Sequence, residues 1–306
     1  MCDGTNFISS VHKDCSDLCD IGADNPWIKG RPLPYLLYVD DTVLIARTAN
    51  SFQILMYGFL KFMYTLELNA NPTKTFYMNC GAKRAKTSAL FVNGVRVERV
   101  NQFSYLGVTF DSLCTWGPVI SNRCLLFSRC VGALFNFVHN LRGKPVKPLL
   151  EVFKHRCLPP LTYGGGLWGY RNLEAAQREE NWFLRRLLGV PPSSSAVFIH
   201  KEVGLGYVKD HLSAASALLW LAVWSNPHAG LNRDIIQDCI ACKREQKIQW
   251  LKFVSSTFEQ LGRQDVYLNL EEIRKGVVAE VKFSIFVMLR TGFSHNALKN
   301  SFPQKL

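Results

Sequence analysis

The sequence predicts an α+β protein, with antiparallel β-hairpins and one packed helix first and helices thereafter. Three observations carry that prediction. Between residues 35 and 111, short runs of β-forming residues are punctuated by the turn dipeptides Asp40-Asp41 and Asn93-Gly94. Residues 51–66 place Phe52, Leu55, Met56, Phe59, Met63 and Leu66 at spacings of three and four, the stripe of an amphipathic helix. From Asp111 onward strand signals fade and helix-length apolar stretches dominate. The 306 residues, 48% of them hydrophobic, suffice for two domains with substantial cores. The chain accordingly divides into an N-terminal segment (1–34) without an assigned element, a hairpin region (35–111), a helical region (112–205) and a C-terminal helical region (206–306).

The first hairpin joins Tyr35-Leu36-Leu37 to Val43-Leu44-Ile45-Ala46 through Tyr38-Val39-Asp40-Asp41. Neighbouring carboxylates repel, and both stay ionised cheaply only beside a cation. Oxygen-only ligands suit Mg²⁺, which takes one or two protein carboxylates and completes its shell with water and substrate phosphates. Such a tip is one way to arrange two-metal nucleotidyl transfer. An Asp pair also simply suits a tight turn. After the helix at 51–66 comes a second hairpin over 89–98, where Asn93-Gly94 favours a type I′ turn between Leu90-Phe91-Val92 and Val95-Arg96-Val97.

Helices are expected over 119–140, from about Val146, and over 174–188, 209–225, 231–261 and 270–291, with Pro159-Pro160 and Gly164-Gly165-Gly166 breaking regularity. Gly189 stops the helix before it and Pro191 prevents its continuation. Arg185-Arg186 has two readings, a phosphate contact or cations at a helix C-terminus. The apolar stretch Leu212–Trp224 is too short to span a bilayer.

Net charge is +12 and unevenly spread. Residues 1–111 carry 11 basic and 10 acidic side chains, residues 112–306 carry 25 and 14. Arg123, Arg129, Arg142, Lys144, Lys147, Lys154 and Arg156 face one acid, Glu151, within 112–170. This excess suits a nucleic-acid backbone and equally a solubilising face. Arg142, Lys144, Lys147, Lys154 and Arg156 are the candidate nucleic-acid-binding residues. The ten cysteines form no paired framework. Cys239-x-x-Cys242 reads as half a zinc site or as a reduced pair. Reduced thiols and no signal peptide in residues 1–20 point to an intracellular protein of nucleus or cytoplasm, not a secreted one. No membrane partner is expected, and the oligomeric state is left open.

Leu36-Leu37-Tyr38-Val39-Asp40-Asp41-Thr42-Val43-Leu44 resembles the catalytic hairpin of reverse transcriptases, most closely those of non-LTR (LINE-type) retrotransposons. Leu68-Asn69-Ala70-Asn71-Pro72-Thr73-Lys74-Thr75 looks like the family segment that introduces a strand after the palm helix. Phe103-Ser104-Tyr105-Leu106-Gly107-Val108 looks like its primer grip. Leu158–Gly169 and Trp182–Pro191 are similar to its thumb. These pieces occur in family order and span about residues 30–300.

The resemblance implies a partial polymerase palm at 35–111, an all-α thumb at 112–205 and a C-terminal helical region beyond. It implies Asp40 and Asp41 as catalytic Mg²⁺ ligands, and Lys74 as a general acid near the triphosphate. Phe103, Tyr105, Leu106 and Gly107 become the primer grip. Partners would be an RNA template/DNA primer duplex and a dNTP. A further family Asp and a Pro-Gln-Gly segment lie well upstream of the Asp pair, and no Pro-Gln-Gly occurs among the 39 residues before Asp40. Asp14, Asp17, Asp20 and Asp24 lack a strand context for replacing that Asp. The resemblance thus leads one to expect a truncated C-terminal part without an endonuclease domain, short of full catalytic competence, or else a nucleic-acid-binding remnant.

Overall fold

A computed structural model of the chain describes residues 24, 26–39, 41–81, 89–139, 145–171, 173–226, 228–241, 248–268 and 282. It forms two compact units, Met1–Thr115 and Trp116–Leu306.

Tight turns organise the first unit. Strands β1 (Trp27–Ile28) and β2 (Arg31–Pro32) pair around Lys29-Gly30, and β3 (Tyr35–Tyr38) and β4 (Asp41–Leu44) pair around positions 39–40. Helix α1 (Ala49–Thr65) follows, started by Thr48, whose hydroxyl accepts from the Ser51 N–H at 3.1 Å. A 3₁₀ turn (Pro72–Lys74) then leads into β5 (Phe76–Tyr77). Strands β6 (Phe91–Val92) and β7 (Val95–Arg96) make the Asn-Gly hairpin, and β8 (Glu98–Arg99) pairs in parallel with β5. Finally β9 (Gln102–Tyr105) and β10 (Val108–Asp111) pair around Leu106-Gly107.

Lys29-Gly30 (φ +47° and +74°), Asn93-Gly94 (+50° and +78°) and Leu106-Gly107 (+49° and +75°) hold both central residues in left-handed conformation. That is the type I′ geometry whose twist matches paired strands. One face of α1 buries Leu55 and Phe59 against Tyr35 and Leu44 of the first hairpin. The next buries Met56 with Leu90, Val92 and Val97 around the Asn-Gly hairpin.

The second unit is helical among its described residues. Helix α2 (Gly117–His139) is followed by α3 (Val146–Val152), a π-helical turn (Phe153–Cys157), and α4 (Leu158–Thr162). Regularity does break at Pro159 and Pro160, as a π turn before them and not as an end to helical structure. They enter the first turn of α4, where missing N–H groups are tolerated, after the π turn has shifted the register. Helix α5 (Gly165–Trp168) is short, and α6 (Leu173–Leu188) is closed by Gly189 at φ +68° with the Val190 N–H donating to the Arg185 carbonyl at 3.1 Å. Helices α7 (Ala196–Val203) and α8 (Val208–Ser225) come next, then α9 (Gly230–Ala241), α10 (Gln249–Gln260) and α11 (Gln264–Leu268).

The single helix expected over 231–261 is thus two, because Ile248 adopts extended backbone at the start of α10. Apart from residue 282, the helix expected over 270–291 lies outside the described residues. An aromatic cluster forms part of the core. Phe153 stacks on Phe183 at 4.0 Å between ring centroids, Phe127 meets Phe153 edge-on at 5.9 Å, and Phe135 lies 5.7 Å from Phe183.

Glycines 165, 166 and 169 let α5 lie directly on α8. A Cβ added at Gly166 would stand 2.9 Å from Leu219 Cβ, and one at Gly169 would stand 2.6 Å from the Leu212 carbonyl oxygen. The Gly166 carbonyl accepts from Ser216 Oγ at 3.1 Å and Trp250 Nε1 at 2.7 Å. This ties α5 to both α8 and α10.

Candidate functional site

Asp41 opens β4, exposed, and pairs across the ladder with Tyr38. Asp40, like Arg142 and Lys144, lies outside the described residues. Val39, in the turn, has φ +55° and is 83% exposed. A β-branched residue pays a steric penalty in that conformation, about 1–2 kcal/mol, and no burial offsets it here. Backbone strain of this kind concentrates where a turn must aim a functional group.

The four primer-grip candidates lie on the β9–β10 hairpin, Phe103 and Tyr105 in β9, Leu106 and Gly107 in its turn. Tyr105 stands close enough to Asp41 to feel its charge. The phenol is pushed above its usual range, by burial first and by the Asp41 carboxylate second. Phe103 in turn packs 5.9 Å from Phe76, the first residue of β5.

Two residues before Phe76 sits Lys74, exposed at the end of a self-capped turn. The Asn71 side-chain oxygen accepts from the Thr73 N–H at 3.0 Å and the Thr73 hydroxyl at 2.8 Å, while the Thr75 hydroxyl donates to the Asn71 carbonyl at 2.8 Å. Asn, Thr and Thr in this order satisfy the turn locally, which leaves the lysine ammonium to solvent.

Asp41 supplies an exposed hard oxygen, suited to a magnesium ion that shares its shell with phosphate. Among the described residues, no group of three or more His, Cys, Asp or Glu side chains is placed to hold a metal ion. Asp111, at the end of β10, is engaged in its own turn. The Thr115 hydroxyl and the Leu113 N–H donate to its carboxylate and hold it below the usual carboxylate range.

The remaining candidate cations belong to the second unit. Lys147, Lys154 and Arg156 are exposed along α3 and the π turn, and Lys154 is paired with Glu151 at 2.8 Å. Arg185 donates from Nε at 3.1 Å and Nη2 at 2.9 Å to the Ser194 carbonyl. Arg186 lies over the Phe135 ring at 4.3 Å and the Trp182 ring at 5.5 Å. Both arginines stand in the last turn of α6 and have partners within the helical unit.

The same unit also holds a buried polar network that the sequence does not signal. Glu180, 1% exposed, accepts from the Val208 N–H at 2.8 Å and Gln177 Nε2 at 3.0 Å, so that α6 caps the first turn of α8. His200, 4% exposed, lies with Nε2 2.8 Å from Asn181 Oδ1 and Nδ1 3.0 Å from the Leu205 carbonyl. His200 and Glu180 stand 3.8 Å apart, yet burial pushes the histidine down and the carboxyl up to about 7, so both tend toward neutrality. The network joins residues up to 32 positions apart (Gln177 to Lys209), and no local spacing signals it.

No family model and no solved structure matches the chain. A curated relative does: the chain is 25% identical over 213 residues to a protein described as a probable RNA-directed DNA polymerase from transposon BS of Drosophila melanogaster. The match covers 63% of this chain and 23% of that relative, so the chain spans about a quarter of the relative's length. This similarity supports a reverse-transcriptase relationship. No helix among the described residues is long and apolar enough to cross a membrane.

Proposed function

We propose that the chain is the palm-hairpin, primer-grip and thumb part of an RNA-directed DNA polymerase of a non-LTR, LINE-type retrotransposon, and that it handles a primer–template duplex. The observation that carries this is the similarity to a transposon RNA-directed DNA polymerase, and the Asp41 charge acting on Tyr105 of the candidate primer grip agrees with it. Asp40 and Asp41 would hold magnesium, which when bound neutralises charge developing on a transferring phosphate. Lys74, exposed on its self-capped turn, would protonate the departing pyrophosphate, a contribution of roughly 10²–10⁴ in rate. The β9–β10 hairpin would support the primer end, and the helical region would grip the backbone.

Nucleotidyl transfer of this type needs a third carboxylate. Asp111 is already engaged in its own turn, which supports reading the Asp pair as an incomplete site. A second reading, duplex binding without catalysis, is favoured by the exposed cations Lys147, Lys154 and Arg156.

Primer extension on an RNA template with Mg²⁺ and dNTPs separates the two, run beside Asp41→Ala. Extension lost in the variant supports the polymerase reading. Salt-sensitive duplex binding without extension supports the second. Absence of both overturns them together.

A further inference from the structure

Cys80 and Cys114 are 34 positions apart in sequence, yet their thiols are in hydrogen-bonding contact and both residues are exposed. Backbone pairing fixes that meeting. The Gly81 N–H, next to Cys80, donates to the Ser112 carbonyl at 2.9 Å, and the Ser112 N–H donates to the Asn101 carbonyl at 2.9 Å. On the other side, Cys114 sits at φ +55° with its N–H on the Asp111 carbonyl at 2.9 Å, in the turn that the Asp111 carboxylate braces from Leu113 and Thr115.

We infer that Cys80 and Cys114 form a reversible dithiol–disulfide site that, when oxidised, clamps the two ends of the segment carrying the β6–β7 and β9–β10 hairpins. The oxidant is a low-molecular-weight disulfide such as glutathione disulfide. One cysteine thiolate attacks it, giving a mixed disulfide and one glutathione thiolate. The second cysteine then displaces the other glutathione. Two protein thiols are oxidised, one disulfide is reduced to two thiols, and the two thiol protons pass to the two glutathiones. Exposure gives the oxidant access, and an exposed bridge is also open to reduction, the behaviour of a regulatory disulfide rather than a structural one. Partial burial and the neighbouring Cys114 and Asp111 charges raise the Cys80 thiol, so less of it is thiolate and it reacts slowly until oxidant accumulates. This site stands independently of the polymerase reading.

The test uses the full reduced chain, equilibrated in glutathione/glutathione disulfide buffers of increasing oxidising strength, acid-quenched, alkylated and peptide-mapped without reduction. Cys80→Ser and Cys114→Ser are run in parallel. The expected result is a linked peptide containing Cys80 and Cys114 as the first disulfide to appear among the ten cysteines. It is lost in each variant, which instead carries glutathione on the remaining partner. Oxidised wild type should also melt at a higher temperature than reduced wild type, with no such difference in either variant. Independent glutathione adducts on both cysteines of the wild type, or preferential pairing of either with another cysteine, would overturn the inference.

Discussion

Replacing Glu180 by Gln should make the helical unit more stable above neutral pH and remove part of its pH dependence. The carboxyl is 1% exposed and accepts two N–H groups, from Val208 and Gln177. Burial is the largest influence on it, the two donors oppose burial, and the Asp210 charge adds to it, so the group titrates at about 7 instead of 4.5. Because the folded value is raised, the folded chain keeps a proton that the unfolded chain releases. The associated stability is fully present below pH 4.5 and is lost as pH rises to about 7. At about 1.36 kcal/mol per pH unit, that loss is about 3 kcal/mol.

A glutamine carbonyl can accept both N–H groups without ever ionising. Urea unfolding of both proteins from pH 5 to 8.5 should therefore show their stabilities diverging as pH rises, with Glu180→Gln ahead by up to about 3 kcal/mol at pH 8. His200 contributes with the opposite sign. Its folded value is lowered, by burial first and by the Arg185 charge among lesser causes, so its stabilisation is lost as pH falls below 6.5. That contribution changes only below pH 6.5, so it does not enter the comparison of the two proteins from neutral pH upward. Parallel pH profiles for the two would refute the assignment of a buried, protonated carboxyl.

Gly169→Ala should cost roughly 1–3 kcal/mol in denaturant unfolding, because its Cβ would meet the Leu212 carbonyl oxygen at 2.6 Å, a backbone atom that has no rotamer to yield. Val39→Asn should leave the first hairpin intact and stabilise it by about 1 kcal/mol in thermal melts, since asparagine tolerates the left-handed backbone. Arg185→Ala removes both donors from the Ser194 carbonyl and should lower stability by about 1.5–3 kcal/mol without altering the salt dependence of duplex binding. Lys147→Gln and Arg156→Gln should do the reverse, leaving melting unchanged and reducing the log–log salt slope of duplex affinity by about 1 each.

The elements that could be read from the sequence are those whose signal is local. Tyr35–Leu44 is two runs of β-forming residues broken by an Asp pair, Asn93-Gly94 is the favoured type I′ dipeptide, and α1 shows its stripe, so their positions follow from short-range sterics and burial. The β9–β10 hairpin was harder, because its turn puts Leu106 at φ +49°, a conformation that leucine does not advertise. Its residues Phe103, Tyr105, Leu106 and Gly107 stood out only through family resemblance. The parallel pairing of β5 with β8 joins two-residue strands 22 positions apart (Phe76 with Glu98), too short for any periodicity to show. In the helical unit, the π turn at 153–157 and the Glu180–His200 network depend on contacts between helices, which no single segment encodes.

On the proposed function, the first unit would receive a primer end between the Asp hairpin and the β9–β10 hairpin. The most direct test is photocrosslinking from a primer whose 3′-terminal nucleotide carries a photoreactive base, annealed to an RNA template and bound to the full chain, followed by peptide mapping. The predicted result is crosslinks concentrated in residues 35–44 and 102–111, whether or not the chain extends the primer. Crosslinks confined to the helical unit, or scattered without preference for those two hairpins, would contradict it.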